Sequence, residues 1–138
     1  MSEIFRSDSV AMTEEYGRQL AQTLTAGDVV AFYGGMGMGK TAMVRGIADG
    51  LGLSAEGSSP TFALVHNYGG QPPLIHFDMY RVTGWNDLYS TGYFDYLDAG
   101  AILVVEWSEN VEAALPADAI RIRIQQAEEN VRLIERVG

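Results

Sequence analysis

The chain has 138 residues, 47% of them hydrophobic and 20% charged, with no cysteine, two histidines and a formal net charge of −9. That length suits one domain over residues 1–138 with a core of its own, and the missing cysteines exclude disulfides and thiolate metal sites, while two isolated histidines argue against zinc. So acidic a surface repels nucleic acid and anionic lipid, so a bound phosphate must be held by a local site and a role on RNA calls for a partner protein with a positive surface.

In chain order, Ser9 is a candidate cap for a first helix, whose apolar stripe runs Met12, Tyr16, Leu20, Leu24 at steps of four. Gly27 is its expected stop, and DVVAFY, residues 28–33, reads as a short buried strand. A glycine loop follows. The second helix is expected from Lys40 to Leu51 on an apolar face of Met43, Val44, Ile47, Ala48 and Leu51, ending at Gly50 and Gly52. Residues 62–68 read as a strand, 69–73 as a turn, 74–80 (LIHFDMY) as another strand, and 86–98 as short helical turns. The run 101–107 is too apolar to be a strand with one wet face. Ile120, Ile122 and Ile124 alternate with polar residues, 126–130 turn, and 131–137 return as a hairpin partner. The expected class is α/β: a mixed sheet flanked by helices, with an antiparallel C-terminal hairpin. MSEIFRSDSV lacks the apolar run of a secretory signal and Ala101–Val105 is too short to cross a membrane, so a cytoplasmic protein is expected.

The loop carries the chemistry. In FYGGMGMGKTAMV, Gly34, Gly39, Lys40 and Thr41 fit the spacing G-x-x-x-x-G-K-[ST] of a P-loop. Small residues let successive backbone N–H groups converge on one anion, and the following helix adds its own N–H groups and the positive end of its dipole. Lys40, the only lysine in the chain, can reach the β- and γ-phosphates, and the Thr41 hydroxyl can ligate Mg²⁺. The phosphate-binding set is therefore Gly34, Gly35, Met36, Gly37, Met38, Gly39, Lys40, Thr41 and Ala42. Asp78 ends LIHFD and Glu106 ends AILVVE. At the carboxyl ends of sheet strands either can hold Mg²⁺ or orient the attacking water, and either can be a simple strand-end cap or ion-pair partner. Guanine readers of this class use N-K-x-D; with the lone lysine already in the loop, ATP is favoured. His66 and His76 read as core or surface residues rather than catalysts.

Four motifs then stand in one order: GGMGMGKTAMVRG, SSPTFALVHNY, HFDMYR and VVEW. Together they resemble the TsaE (YjeE) family, the ATPase component of bacterial tRNA threonylcarbamoyladenosine synthesis, from about Ser9 to the C-terminus. The resemblance implies a P-loop fold with a seven-stranded mixed sheet and slow Mg²⁺–ATP hydrolysis. It implies TsaD and TsaB as partners, which modify adenosine 37 of tRNA while the ATPase resets them between turnovers, touching tRNA only indirectly. Carried over by position, Thr61 of SPTF resembles a switch threonine that senses the γ-phosphate or the metal, with a backbone-bonded hydroxyl as the equal alternative. Asp78 and Glu106 resemble the acidic metal-site pair, and Trp107 the aromatic near the nucleotide, with core packing its competing role. Tyr80 and Arg81 would position the loop after Asp78 or meet a partner, and a plain ion pair is the competing role for Arg81. Three departures stand out: Gly35 where the family carries an acid, Ala42 where it carries a second hydroxyl, and Met38 where it carries a small residue. A nucleotide-gated binding module without hydrolysis and a small-molecule kinase are the alternative functions.

Overall fold

A computed structural model describes residues 3–34, 39–53 and 65–137. Its elements are β1 (Glu3–Ser7), α1 (Val10–Ala21), β2 (Val29–Tyr33), α2 (Lys40–Gly50), β3 (Val65–Gly70), β4 (Pro73–Asp78), α3 (Trp85–Ser90), α4 (Tyr93–Asp98), β5 (Ile102–Glu106), a 3₁₀ segment (Ser108–Ala114), β6 (Ile120–Glu128) and β7 (Val131–Val137). Among the described residues seven strands form one mixed sheet in the order β1-β7-β6-β2-β5-β4-β3. The centre is parallel, β2 lying between β5 and β6 and β5 between β2 and β4. The edges are antiparallel: β1 on β7 and β7 on β6 at one side, β3 on β4 at the other. The α/β class and the C-terminal hairpin are as the sequence predicts.

The central strands are buried on both faces, which is why they read as continuous apolar runs. One face, with Val30, Phe32, Leu74, Ile102 and Val104, packs on α1 and α2. The other, with Val29, Ala31, Ile75, Phe77, Leu103 and Val105, packs on α3, α4 and the 3₁₀ segment through Leu88, Tyr93 and Val111. Alternation therefore assigns every strand residue to a face.

α1 starts where predicted: the Met12 N–H donates to the Ser9 side-chain oxygen at 3.1 Å. Its buried face follows the predicted stripe only in part: Leu20 is buried, as is Leu24 beyond the helix end. Met12 is 36% exposed and Tyr16 half-buried, and the inward positions are Thr13, Gly17, Leu20 and Ala21. The cause is a close crossing with α2. A Cβ on Gly17 would stand 2.5 Å from the Met43 carbonyl oxygen, and one on Gly46 would stand 2.0 Å from that of Glu14. Glycines set this contact, so an apolar stripe does not find it. α1 also ends at Ala21, well before Gly27, whose N–H instead donates to the Gly100 carbonyl at 3.0 Å and ties the turn before β2 to the start of β5. β3 runs on through Gly70, and β6 continues to Glu128, so the hairpin turn is shorter than predicted.

Candidate functional site

β2 leads out of the core at Tyr33, whose phenol donates to a Glu112 carboxylate oxygen; burial first, and that carboxylate second, push it up to about 12. Gly34 follows at φ 126, and a Cβ there would stand 2.4 Å from the Ile124 carbonyl oxygen, so a side chain is excluded twice over. Gly39, at φ 92, is the residue before α2 and offers no side-chain cap. The first N–H groups of α2 thus keep their donors for something outside the helix. Gly35, Met36, Gly37 and Met38 lie outside the described residues, as does Thr61 with the rest of SPTF.

Lys40 opens α2 and is 4% exposed. Its ammonium donates to the Gly34 carbonyl at 2.7 Å and lies 5.1 Å from the centre of the Trp107 ring. Gly34, Lys40 and the aromatic after β5 are thus brought together. Thr41 is exposed on the first turn of α2, and Ala42 is buried under it. Trp107 sits at φ 59, ψ 43, the left-handed region, and among the described residues no other non-glycine has positive φ. Its half-buried ring packs on the cluster beneath β5, the packing role, while one face meets Lys40. Its other neighbour is Tyr80, at 4.9 Å between ring centres and 54% exposed.

Asp78 and Glu106 are register partners at the ends of β4 and β5. By alternation with Leu74, Ile102 and Val104 both continue the sheet face that carries α2. Asp78 accepts the Tyr80 N–H at 3.0 Å, which shapes the turn after β4. The Met79 N–H donates to the Glu106 carbonyl at 3.1 Å, joining the two strand ends. Glu106 has the side-chain partner that its competing reading names: one carboxylate oxygen lies 2.6 Å from His76 Nε2. Arg81 is exposed and has no ion pair among the described residues.

Two side chains in this neighbourhood escape the sequence reading. His76 belongs to it through Glu106, and the signal was available: in H-F-D the histidine and Asp78 are two apart on a strand and must share a face. Arg132, on β7, lies with its Cγ 3.7 Å from where a Cβ on Gly39 would stand, and its Nε is buried without a partner among the described residues. Nothing in an alternating hairpin marks one arginine as the one beside the loop. Gly39, Thr41, Ala42, Arg45 and Arg132 line a cleft of about 530 Å³ on one side of the loop, while Tyr33, Gly34, Trp107 and Arg123 line another of about 660 Å³.

Compared with known families, residues 7–134 match the model of the threonylcarbamoyl adenosine biosynthesis protein TsaE. The chain belongs to the TsaE family. It is 41% identical over 116 residues to the tRNA threonylcarbamoyladenosine biosynthesis protein TsaE of Streptomyces coelicolor, covering 82% of this chain and 78% of that one. The TsaE proteins of Treponema pallidum and Bacillus subtilis are 34% and 32% identical, over 86% and 88% of this chain and 88% and 77% of theirs. The crystal structure of Bacillus subtilis YdiB superposes with a TM-score of 0.81 at 28% identity, over 99% of this chain and 84% of that one. The fold brings Gly34, Gly39, Lys40, the two strand-end carboxylates and Trp107 to one end of the sheet. No helix among the described residues is long and apolar enough to cross a membrane.

Proposed function

We propose that this chain binds Mg²⁺–ATP at the Gly34–Ala42 loop and hydrolyses it slowly, as the ATPase subunit of tRNA threonylcarbamoyladenosine synthesis at position 37. TsaD and TsaB are its proposed partners and the cytoplasm its proposed compartment, with hydrolysis supporting turnover of the pair and no direct chemistry on tRNA. The observation that carries the reading is Lys40: a nearly buried ammonium whose described partners are a neutral carbonyl and a ring face. A buried cation so placed needs an anion close by, and the uncapped start of α2 is where one fits.

The donor set suits magnesium. It offers the Thr41 hydroxyl and the carboxylates of Asp78 and Glu106, and among the described residues no group of three His, Cys, Asp or Glu side chains could enclose an ion. A hard cation held by one or two carboxylates, phosphate and water matches that sparseness. When bound, the ion would neutralise charge between the β- and γ-phosphates. Gly34, Gly39 and the first N–H groups of α2 hold the phosphates, and Lys40 leaves the Gly34 carbonyl to meet the γ-phosphate. A carboxylate at the strand ends orients the attacking water and accepts hydrogen bonds from it, while Trp107 limits where the ammonium can go.

ATP turnover measured with the chain alone, and again with TsaD and TsaB, tests this reading. Wild-type protein is expected to show weak turnover that changes with the pair, and Lys40→Ala is expected to abolish turnover and tRNA modification in a reconstituted system. Unchanged multi-turnover modification with Lys40→Ala would sink the proposal. ATP binding without hydrolysis in any combination would favour the nucleotide-gated module instead, and phosphate transfer to a metabolite would favour the kinase.

A further inference from the structure

His76 and Glu106 make a close polar contact at this end of the sheet, 2.6 Å from Nε2 to a carboxylate oxygen, with side chains 15% and 19% exposed. The contact joins β4 to β5 on the face that carries α2. His76 is confined from its other side as well. Its antiparallel partner on β3 is His66, whose own ring is packed edge-on against Tyr68 at 4.3 Å. By register His76 stands between His66 on β3 and Val104 on β5, with its Nε2 on Glu106.

A glutamate side chain has three rotatable bonds, so a fixed backbone does not by itself decide where its carboxylate points. The backbone of this strand end is already fixed, by the Met79 N–H on the Glu106 carbonyl and by the left-handed Trp107 that follows. What remains free is the carboxylate, and His76 is the described side chain that holds it. From this arrangement we infer that His76 is a positioning residue. It donates its Nε2–H to one oxygen of Glu106 and leaves the other directed at the water that attacks the γ-phosphate. The inference rests on the proposed role of Glu106 and goes beyond it by dividing labour between the two carboxylates. Asp78 is held by backbone and shapes the turn after β4; Glu106 is held by a side chain and acts on the water. Preorganisation of this kind acts in the transition state and leaves ground-state binding of nucleotide alone.

Three variants and a spectrum test it. His76→Ala should lower kcat for ATP by about 10- to 100-fold, the usual cost of removing a residue that orients a catalytic ligand, with KM and the melting temperature nearly unchanged. His76→Gln, which keeps an N–H donor at similar reach, should restore most of that loss. In a Glu106→Gln background, His76→Ala should cost little more, because both act as a unit. Independently of activity, ¹⁵N spectra of the imidazoles should show the His76 Nε2 signal moving on Glu106→Gln while that of His66 stays. An unchanged kcat in His76→Ala, a parallel loss of kcat, affinity and melting temperature without rescue by glutamine, or a His76 signal indifferent to Glu106→Gln each overturns the inference. Wild-type protein without ATP turnover would instead remove the proposed function, and this inference with it.

Discussion

Asp78 and Glu106 sit side by side, yet their carboxylates are held differently, one by the Tyr80 N–H and one by His76. Among the described residues neither carboxylate hydrogen-bonds to Gly34, Gly39 or Lys40, so removing either leaves the proposed cradle of these residues and the α2 N-terminus in place. Asp78→Ala and Glu106→Ala should therefore cut ATP hydrolysis by far more than they weaken nucleotide binding, on the order of 100-fold against a few-fold for groups that act mainly in the transition state. Single-turnover hydrolysis beside a fluorescent-nucleotide titration separates the two, and equal losses in both would contradict the assignment. Residue types and spacing singled out residues that the structure sets near one another in pairs: Lys40 lies against Trp107, and Asp78 and Glu106 end neighbouring strands. Arg132 was not legible, because its place beside Gly39 depends on how β7 returns along β6, which is long-range information.

At the scale of elements, α1 crosses α2 closely at glycines of both helices. A methyl on Gly46 would stand 2.0 Å from the Glu14 carbonyl oxygen and 3.0 Å from the Glu14 Cα. These are backbone atoms, which cannot rotate away, so one helix must shift. Gly→Ala in a helix ordinarily gains up to about 1 kcal/mol in propensity, whereas overpacking costs about 1–3 kcal/mol and more when backbone must move. The clash wins, and Gly46→Ala should destabilise the protein by about 1–3 kcal/mol in chemical denaturation. Because α2 begins at Lys40, the shift should also weaken ATP binding; a variant as stable as wild type would show that the helices can slide apart freely. The same contact explains what the sequence pattern missed here. Apolar periodicity finds helices by their large side chains, and this crossing is built from positions 17 and 46, which have none. β1 escaped for a related reason: EIFRS is mostly exposed and pairs only with β7 at the sheet edge, so no face of it carries an inward apolar pattern. By contrast β2, β4 and β5, and the alternating β6, were readable because burial on one or both faces dictates their composition.

Across the whole molecule, charge is unevenly spread. Eighteen carboxylates oppose nine basic side chains, and from Val82 to Ile120 there is no lysine, arginine or histidine, while Asp87, Asp95, Asp98, Glu106, Glu109, Glu112 and Asp118 all lie in that stretch. It forms α3, α4, β5 and the 3₁₀ segment, one side of the sheet and the strand end that bears Glu106. A field of one sign over one face steers encounter with a partner of the opposite sign and repels polyanions. Two outcomes are expected. The chain alone should not retard tRNA in a gel shift at physiological salt, since a net charge of −9 opposes a polyanion. Its association with the TsaD–TsaB pair should instead slow by about tenfold between 50 and 500 mM salt, with dissociation changing far less, because screening at a Debye length of a few ångströms removes steering but not close contact. Biosensor kinetics across that salt range decide the matter. An association rate indifferent to salt would mean that the acidic face plays no part in the encounter, and tRNA binding by the chain alone would mean that a local basic site outweighs its net charge.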